Sequence, residues 1–171
     1  MAGLLLKDHV EAVFDSPAIT AILLVVTAIL LVSAERLAKK DKTLDELTWK
    51  DSLLIGVFQA LAIFPGISRS GATISGGLFK GYTREGAARF SFLLSIPIML
   101  AAGLLSVMDL VQAEFFLDFL PILILGFVIA GVVGYFSIRW LLSYVKNNSF
   151  FGFAIYCVVI SAVTLVVSML R

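Results

Sequence analysis

The sequence contains one cysteine, Cys157, and one histidine, His9, among 171 residues. A lone cysteine excludes an internal disulfide and any cysteine-built metal cluster. Within an apolar run such a residue is most often a small buried hydrophobe, and His9, beside Lys7 and Asp8, reads as interfacial. Charge is also scarce, at 15% of residues against about 25% in soluble domains. The net charge of +1 excludes the strongly basic surface that nucleic acid recruits, so no nucleic-acid partner is expected. No glutamate lies between Glu46 and Glu85, and Asp109–Asp118 holds no lysine or arginine. Met1–Leu6 is too short for the apolar core of a signal peptide, and Lys7, Asp8 and His9 interrupt it.

What is abundant is apolar surface: 60% of residues are hydrophobic, against about 45–50% in soluble domains. A bilayer core of roughly 30 Å takes about 20 apolar residues as a helix. Residues 17–35, 90–108, 119–141 and 150–170 meet that length. Residues 1–16 alternate leucine and valine with charge and suggest an interfacial amphipathic helix. Pro17 suits a first helical position, whereas Pro97 should kink its span. Gly126, Ala130 and Gly134, four apart, offer a face for close helix packing in lipid.

Residues 52–79 break this pattern. An apolar run from Leu53 to Phe64 meets Pro65-Gly66, then Arg69, then a second short run from Ala72 to Phe79. Neither run spans a bilayer alone. Charge decides between one broken crossing and a return to the same side. Arg36–Lys50 carries five basic residues, Lys80–Arg89 three, and Arg139–Ser149 includes Arg139 and Lys146. Basic loops stay cytoplasmic, and only a re-entrant hairpin puts all three there, with the acidic loop and both chain ends outside. The expected fold is therefore all-α: a polytopic membrane protein of four transmembrane helices plus one re-entrant helical hairpin. Trp49, Tyr82, Trp140, Tyr144 and Phe150 fall at helix ends and read as an anchoring belt. Asp41, Asp45, Glu46 and Asp51 mingle with lysines and read as a solvated loop surface.

The hairpin tip has the makings of an anion site. Pro65 and Gly66 turn the chain, while Ser68, Ser70 and Thr73 supply hydroxyls and Arg69 a fixed positive fork. Gly71 leaves backbone amides accessible, and a helix beginning near Ala72 would aim its positive end at the same point. An arginine near the bilayer centre costs about 2.5–3.5 kcal/mol on insertion scales, which marks a function. An anionic ligand reached from lipid points to a phosphorylated lipid. Half of an inverted-repeat transporter for an anionic substrate uses similar broken helices and stands as the alternative.

The run Phe64-Pro65-Gly66-Ile67-Ser68-Arg69-Ser70-Gly71-Ala72-Thr73-Ile74-Ser75-Gly76-Gly77 closely resembles the second signature of bacterial undecaprenyl-diphosphate phosphatases, the bacitracin-resistance family. The likeness continues through Ala87–Pro97 downstream and Gly56–Ala62 upstream, and loosely over nearly the whole chain. It implies a multi-pass protein of the bacterial inner membrane that hydrolyses undecaprenyl diphosphate to the monophosphate carrier of cell-wall synthesis. It implies two inverted repeats, each with a re-entrant hairpin, and a divalent cation, magnesium or calcium. Carried over by motif position, Arg69 and Ser70 are catalytic, and Ser68, Arg69, Ser70, Gly71 and Thr73 bind substrate. The family's first signature, paired glutamates and a Ser-Ser-Thr-Gly-His run, is absent here, and with it the residues that would hold the metal. The chain thus resembles the second repeat with its preceding helix, half of the inverted-repeat fold. It is expected to be a fragment, or a half-protein completed by a missing N-terminal half or as a homodimer. Alone, it is expected to hydrolyse little. The attacking group stays open, since no base is visible beside Ser68 or Ser70.

Overall fold

The computed structural model describes residues 16–112 and 116–170, without the side chains of Leu117 and Asp118. The described residues form six α-helices: α1 Pro17–Leu37, α2 Trp49–Leu61, α3 Arg69–Phe79, α4 Arg84–Val111, α5 Phe116–Asn147 and α6 Phe151–Met169. A single 3₁₀ turn, Leu44–Glu46, precedes α2. The expected interfacial helix falls almost wholly on residues outside the described set, as does His9. Helices α1, α4, α5 and α6 are each long and apolar enough to cross a membrane. The chain is an all-helical, multi-pass membrane protein.

Hydroxyl caps set several helix starts. Ser16 Oγ accepts from the Ile19 amide, with Pro17 in the first turn of α1. Thr48 Oγ1 accepts from the Asp51 amide at the head of α2, and Thr83 Oγ1 from the Gly86 amide at the head of α4. A side-chain oxygen there satisfies an amide the helix leaves without a partner. Thr83 starts α4 six residues before the expected boundary at Phe90, and Pro97 lies inside that helix.

Helix α3 is the centre of the packing, set against α1, α2 and α4, while α6 lies along α1 and α5 along α4. Every residue from Gly71 to Leu78 is buried. Its glycines permit this: a Cβ at Gly76 would press on the Phe58 ring, and one at Gly77 would meet Ala87 Cβ at 2.9 Å. The stripe on α5 does not behave so. A Cβ at Gly126 or Gly134 would find nothing within 4 Å, so this face packs on no described helix.

A charged layer closes one end of the molecule. Lys80 Nζ lies 3.0 Å from Asp51 Oδ1, and the Tyr82 hydroxyl donates to Asp51 Oδ2 at 2.8 Å. The start of α2 and the end of α3 are thereby held together, which makes them the two legs of a hairpin. Beside them, Lys42 exchanges backbone hydrogen bonds with Gly81 and Thr83. Glu35, at the last turn of α1, accepts from Lys40 Nζ at 2.7 Å, from Arg84, and from the Phe150 amide at 3.4 Å. The three basic segments therefore meet at one face, as the re-entrant arrangement requires.

This layer corrects two expectations. Asp51 is not solvated but buried, because it satisfies a lysine and a phenol at once. Tyr82 and Phe150 are each 2% exposed and belong to the core rather than to an anchoring belt, whereas Trp49 is 72% exposed. Trp140 is also exposed and stacks on Tyr144.

Candidate active site

The hairpin tip, residues 62–68, docks along the N-terminal half of α1, from Thr20 to its middle residue, Thr27. The Ser68 amide donates to Thr27 Oγ1 at 3.0 Å, and Thr27 is the middle residue of the 21-residue α1. At 1.5 Å per residue, Thr27 stands about 15 Å from either end of that helix. Close contact at this point depends on two glycines. Gly66 has φ +100°, and a Cβ there would lie 2.2 Å from the Thr20 carbonyl oxygen. A Cβ on Gly71 would lie 2.7 Å from Thr27 Cγ2.

Helix α3 begins at Arg69, three residues before the expected start near Ala72. Ser68 is its N-cap: the hydroxyl accepts from the Gly71 amide at 3.2 Å, and the Ser68 carbonyl accepts from Ala72. Serine is a preferred cap, and this signal was present in the sequence. The amides of Arg69 and Ser70, in the first turn, have no partner among the described residues. They mark the positive end of the α3 dipole.

The structure brings Ser68, Ser70 and Gly71 together. The two serine hydroxyls are 3.3 Å apart, and all three residues line a cavity of about 190 Å³. Leu31, Ile74, Phe92, Leu141, Phe153 and Tyr156 supply much of its remaining, apolar wall, and the buried Cys157 also contributes. Arg69 is half-buried, with one guanidinium nitrogen 3.8 Å from Met99 Sδ. No carboxylate contacts it among the described residues. Thr73 points elsewhere. It is 1% exposed, donates to the Arg69 carbonyl at 2.9 Å, and shares a 2.6 Å hydrogen bond with Ser91 on α4. Two residues that sequence reasoning passed over, Thr27 and Ser91, thus fix the tip from α1 and α4.

A local comparison clarifies Arg69. Ser68-Arg69-Ser70-Gly71-Ala72 at the head of α3 is matched by Thr83-Arg84-Glu85-Gly86-Ala87 at the head of α4. Each has a hydroxyl cap bonded to the glycine amide, and an arginine opening the helix. Arg84 donates to the buried Glu35 carboxylate through both Nε and Nη2. The same motif is neutralised in the charged layer and left with only a thioether beside its cation at the tip.

Among the described residues no three of His, Cys, Asp and Glu come together as a metal site. The tip itself offers hydroxyls, amides and a guanidinium, and the last two are donors that repel a cation. These residues do not fit a divalent metal. Neither serine hydroxyl has an imidazole, carboxylate or amine as a hydrogen-bond partner among the described residues.

Fold and tip together define a multi-pass helical membrane protein with a polar cluster on a broken helical hairpin, packed against an apolar helix long enough to cross a membrane. The chain belongs to the family described as bacitracin resistance protein BacA, whose profile matches residues 1–163. It is 49% identical over 158 residues to undecaprenyl-diphosphatase 1 of Corynebacterium jeikeium, covering 91% of this chain and 56% of that protein. It is 41% identical over 166 residues to the undecaprenyl-diphosphatase of Methanosphaera stadtmanae, covering 97% and 59%. The corresponding figures for the undecaprenyl-diphosphatase of Chloroherpeton thalassium are 46% over 164 residues, 90% and 57%. The chain therefore spans less than two thirds of the length of these relatives.

Proposed function

We propose that this chain forms part of an undecaprenyl-diphosphate phosphatase of the plasma membrane. Such an enzyme moves the terminal phosphoryl group to water: the bond between the terminal phosphorus and the bridging oxygen breaks, a bond from that phosphorus to the water oxygen replaces it, and phosphate and the lipid monophosphate are released. The observation that carries this reading is the head of α3, where two open amides and two serine hydroxyls lie next in sequence to an arginine that has no carboxylate partner among the described residues and whose guanidinium rests on Met99. Phosphoryl transfer asks little covalent chemistry of a protein and depends on positioned donors and cations. In this scheme Arg69 neutralises the diphosphate, Ser68 and Ser70 orient its oxygens, and the Arg69 and Ser70 amides take the charge that develops on the leaving group. The basic layer around Lys40, Lys80 and Arg84 faces the cytoplasm. Relatives of greater length bearing the name undecaprenyl-diphosphatase support the substrate.

The divalent cation and the attacking group belong to the part of the enzyme that these residues do not supply, whether a further segment or a second chain. Phosphate release from undecaprenyl diphosphate by the full-length protein, compared with Arg69→Ala, tests the proposal. A loss of about 10²–10³-fold in kcat is expected for removal of one such donor. Equal rates would overturn it. Uptake of a soluble anion without any phosphate release would favour a carrier instead.

A further inference from the structure

Thr27 lies in an apolar helix, is completely buried, and belongs to no part of the signature. Its hydroxyl nevertheless meets the hairpin tip in two places. It accepts from the Ser68 amide at 3.0 Å, and it stands 3.4 Å from both the Gly66 and the Leu23 carbonyl oxygens. One proton serves either carbonyl, so the hydroxyl can brace the turn or fall back on its own helix. Its methyl group fills the space that a side chain on Gly71 would need. A single side chain therefore holds the backbone immediately before the first turn of α3 on both sides of Ile67. The direction in which the Arg69 and Ser70 amides point follows from that hold.

From this geometry we infer that Thr27 is a positioning residue for the anion site, setting the depth and the aim of the α3 N-terminus from α1. Without the hydroxyl, Ser68 would keep a half-buried amide with no acceptor, and the tip would have to shift to find one. Donors that stabilise a transition state lose their effect when displaced, and a misplacement of about 1 Å can cost on the order of 10²-fold in rate. Ser68 moves with the tip, so headgroup binding weakens together with the chemical step, and the loss falls on kcat/KM.

The test uses the full-length protein and three variants. Thr27→Val keeps the volume and removes the hydroxyl, while Thr27→Ser keeps the hydroxyl. Ser161→Ala removes the other buried hydroxyl bond to α1, donated by Ser161 to the Ala21 carbonyl at 2.7 Å, away from the tip. The expected result for Thr27→Val is a fall in kcat/KM of about 10–100-fold, with Thr27→Ser within about threefold of the parent. Ser161→Ala should lose thermal stability with kcat/KM unchanged. Amide exchange over residues 66–70, read on the same samples, should quicken in Thr27→Val alone. The kinetic part of this inference rests on the phosphatase reading, and the exchange part does not. A parent protein that releases no phosphate would remove the phosphatase reading, whereas unaltered exchange in Thr27→Val would remove the positioning role. Equal kinetic damage in Thr27→Ser or Ser161→Ala would also remove it.

Discussion

Arg84 grips the buried Glu35 carboxylate through two guanidinium nitrogens, from the first turn of α4 to the last turn of α1. Arg69 occupies the equivalent place on α3 and contacts a methionine sulfur. One sequence pattern thus yields an ion-pair clamp in the charged layer and, at the hairpin tip, an arginine with no carboxylate partner among the described residues.

The two arginines should respond oppositely to removal. Arg84→Ala leaves Glu35 buried with its main partner gone. Breaking a fully buried pair costs about 3–5 kcal/mol, and partial exposure of Arg84 puts the loss at or below the lower end. Arg69→Ala should leave thermal stability in detergent nearly unchanged while phosphate release collapses. A melting curve and a phosphate assay on both variants read this directly.

The closure of the hairpin should depend on pH at both extremes. Burial raises the Asp51 pKa, but hydrogen bonds from Thr48, Lys80 and Tyr82 outweigh it and hold the carboxylate well below its usual range. Burial, then the Asp51 hydrogen bond and charge, push the Tyr82 phenol up to about 12. A depressed carboxylate contributes stability above its ordinary pKa that is lost as pH falls toward the folded value. A raised phenol contributes stability that is complete below pH about 10 and lost as pH rises toward 12. Amide exchange at the base of α2 and α3 should therefore quicken above pH about 10, and Tyr82→Phe should abolish that alkaline limb.

Thr73 should prove a packing residue. Its hydroxyl faces Ser91 and the Arg69 carbonyl, away from the cavity. Thr73→Val is expected to cost about 1–3 kcal/mol through the polar groups it strands. KM for the lipid diphosphate should stay within twofold, while Ser68→Ala and Ser70→Ala raise it.

Gly66 and Gly126 should separate a required glycine from a tolerated one. Gly66→Ala puts a Cβ into the Thr20 carbonyl at a positive φ, so the tip cannot dock and folded protein should be lost. Such backbone strain alone costs about 1–3 kcal/mol. Gly126→Ala meets nothing within 4 Å and should leave the melting temperature within a few degrees of the parent.

The sequence was most legible where a single physical rule governs. Length and hydropathy located α1, α4, α5 and α6, and the basic loops located the turn-back of the hairpin, since charge cannot cross lipid cheaply. Ser68, Arg69 and Ser70 were singled out because polar groups between two apolar runs need a reason, and the structure places them together at the head of α3. Pairings across helices were not legible. Tyr82 and Asp51 looked like surface residues because each alone prefers water, and only their mutual hydrogen bond makes burial acceptable. Thr27 was hidden in an apolar run, and Thr73 looked like a ligand because Ser91 is eighteen residues away. The start of α3 was misjudged because Ser68 was weighed as a ligand and not as a cap.

Because Ser68 at the hairpin tip meets Thr27, the middle residue of a helix long enough to cross a membrane, an anion bound beside it would have crossed about half of the membrane's electric field. A full crossing is worth about 2.3 kcal/mol per elementary charge per 100 mV, so half a crossing is worth about 1.2 kcal/mol per charge per 100 mV. On the phosphatase reading, with the basic layer on the negative side, a multiply charged headgroup arriving from the opposite face would move against that field, and occupancy of the site should rise as the membrane depolarises.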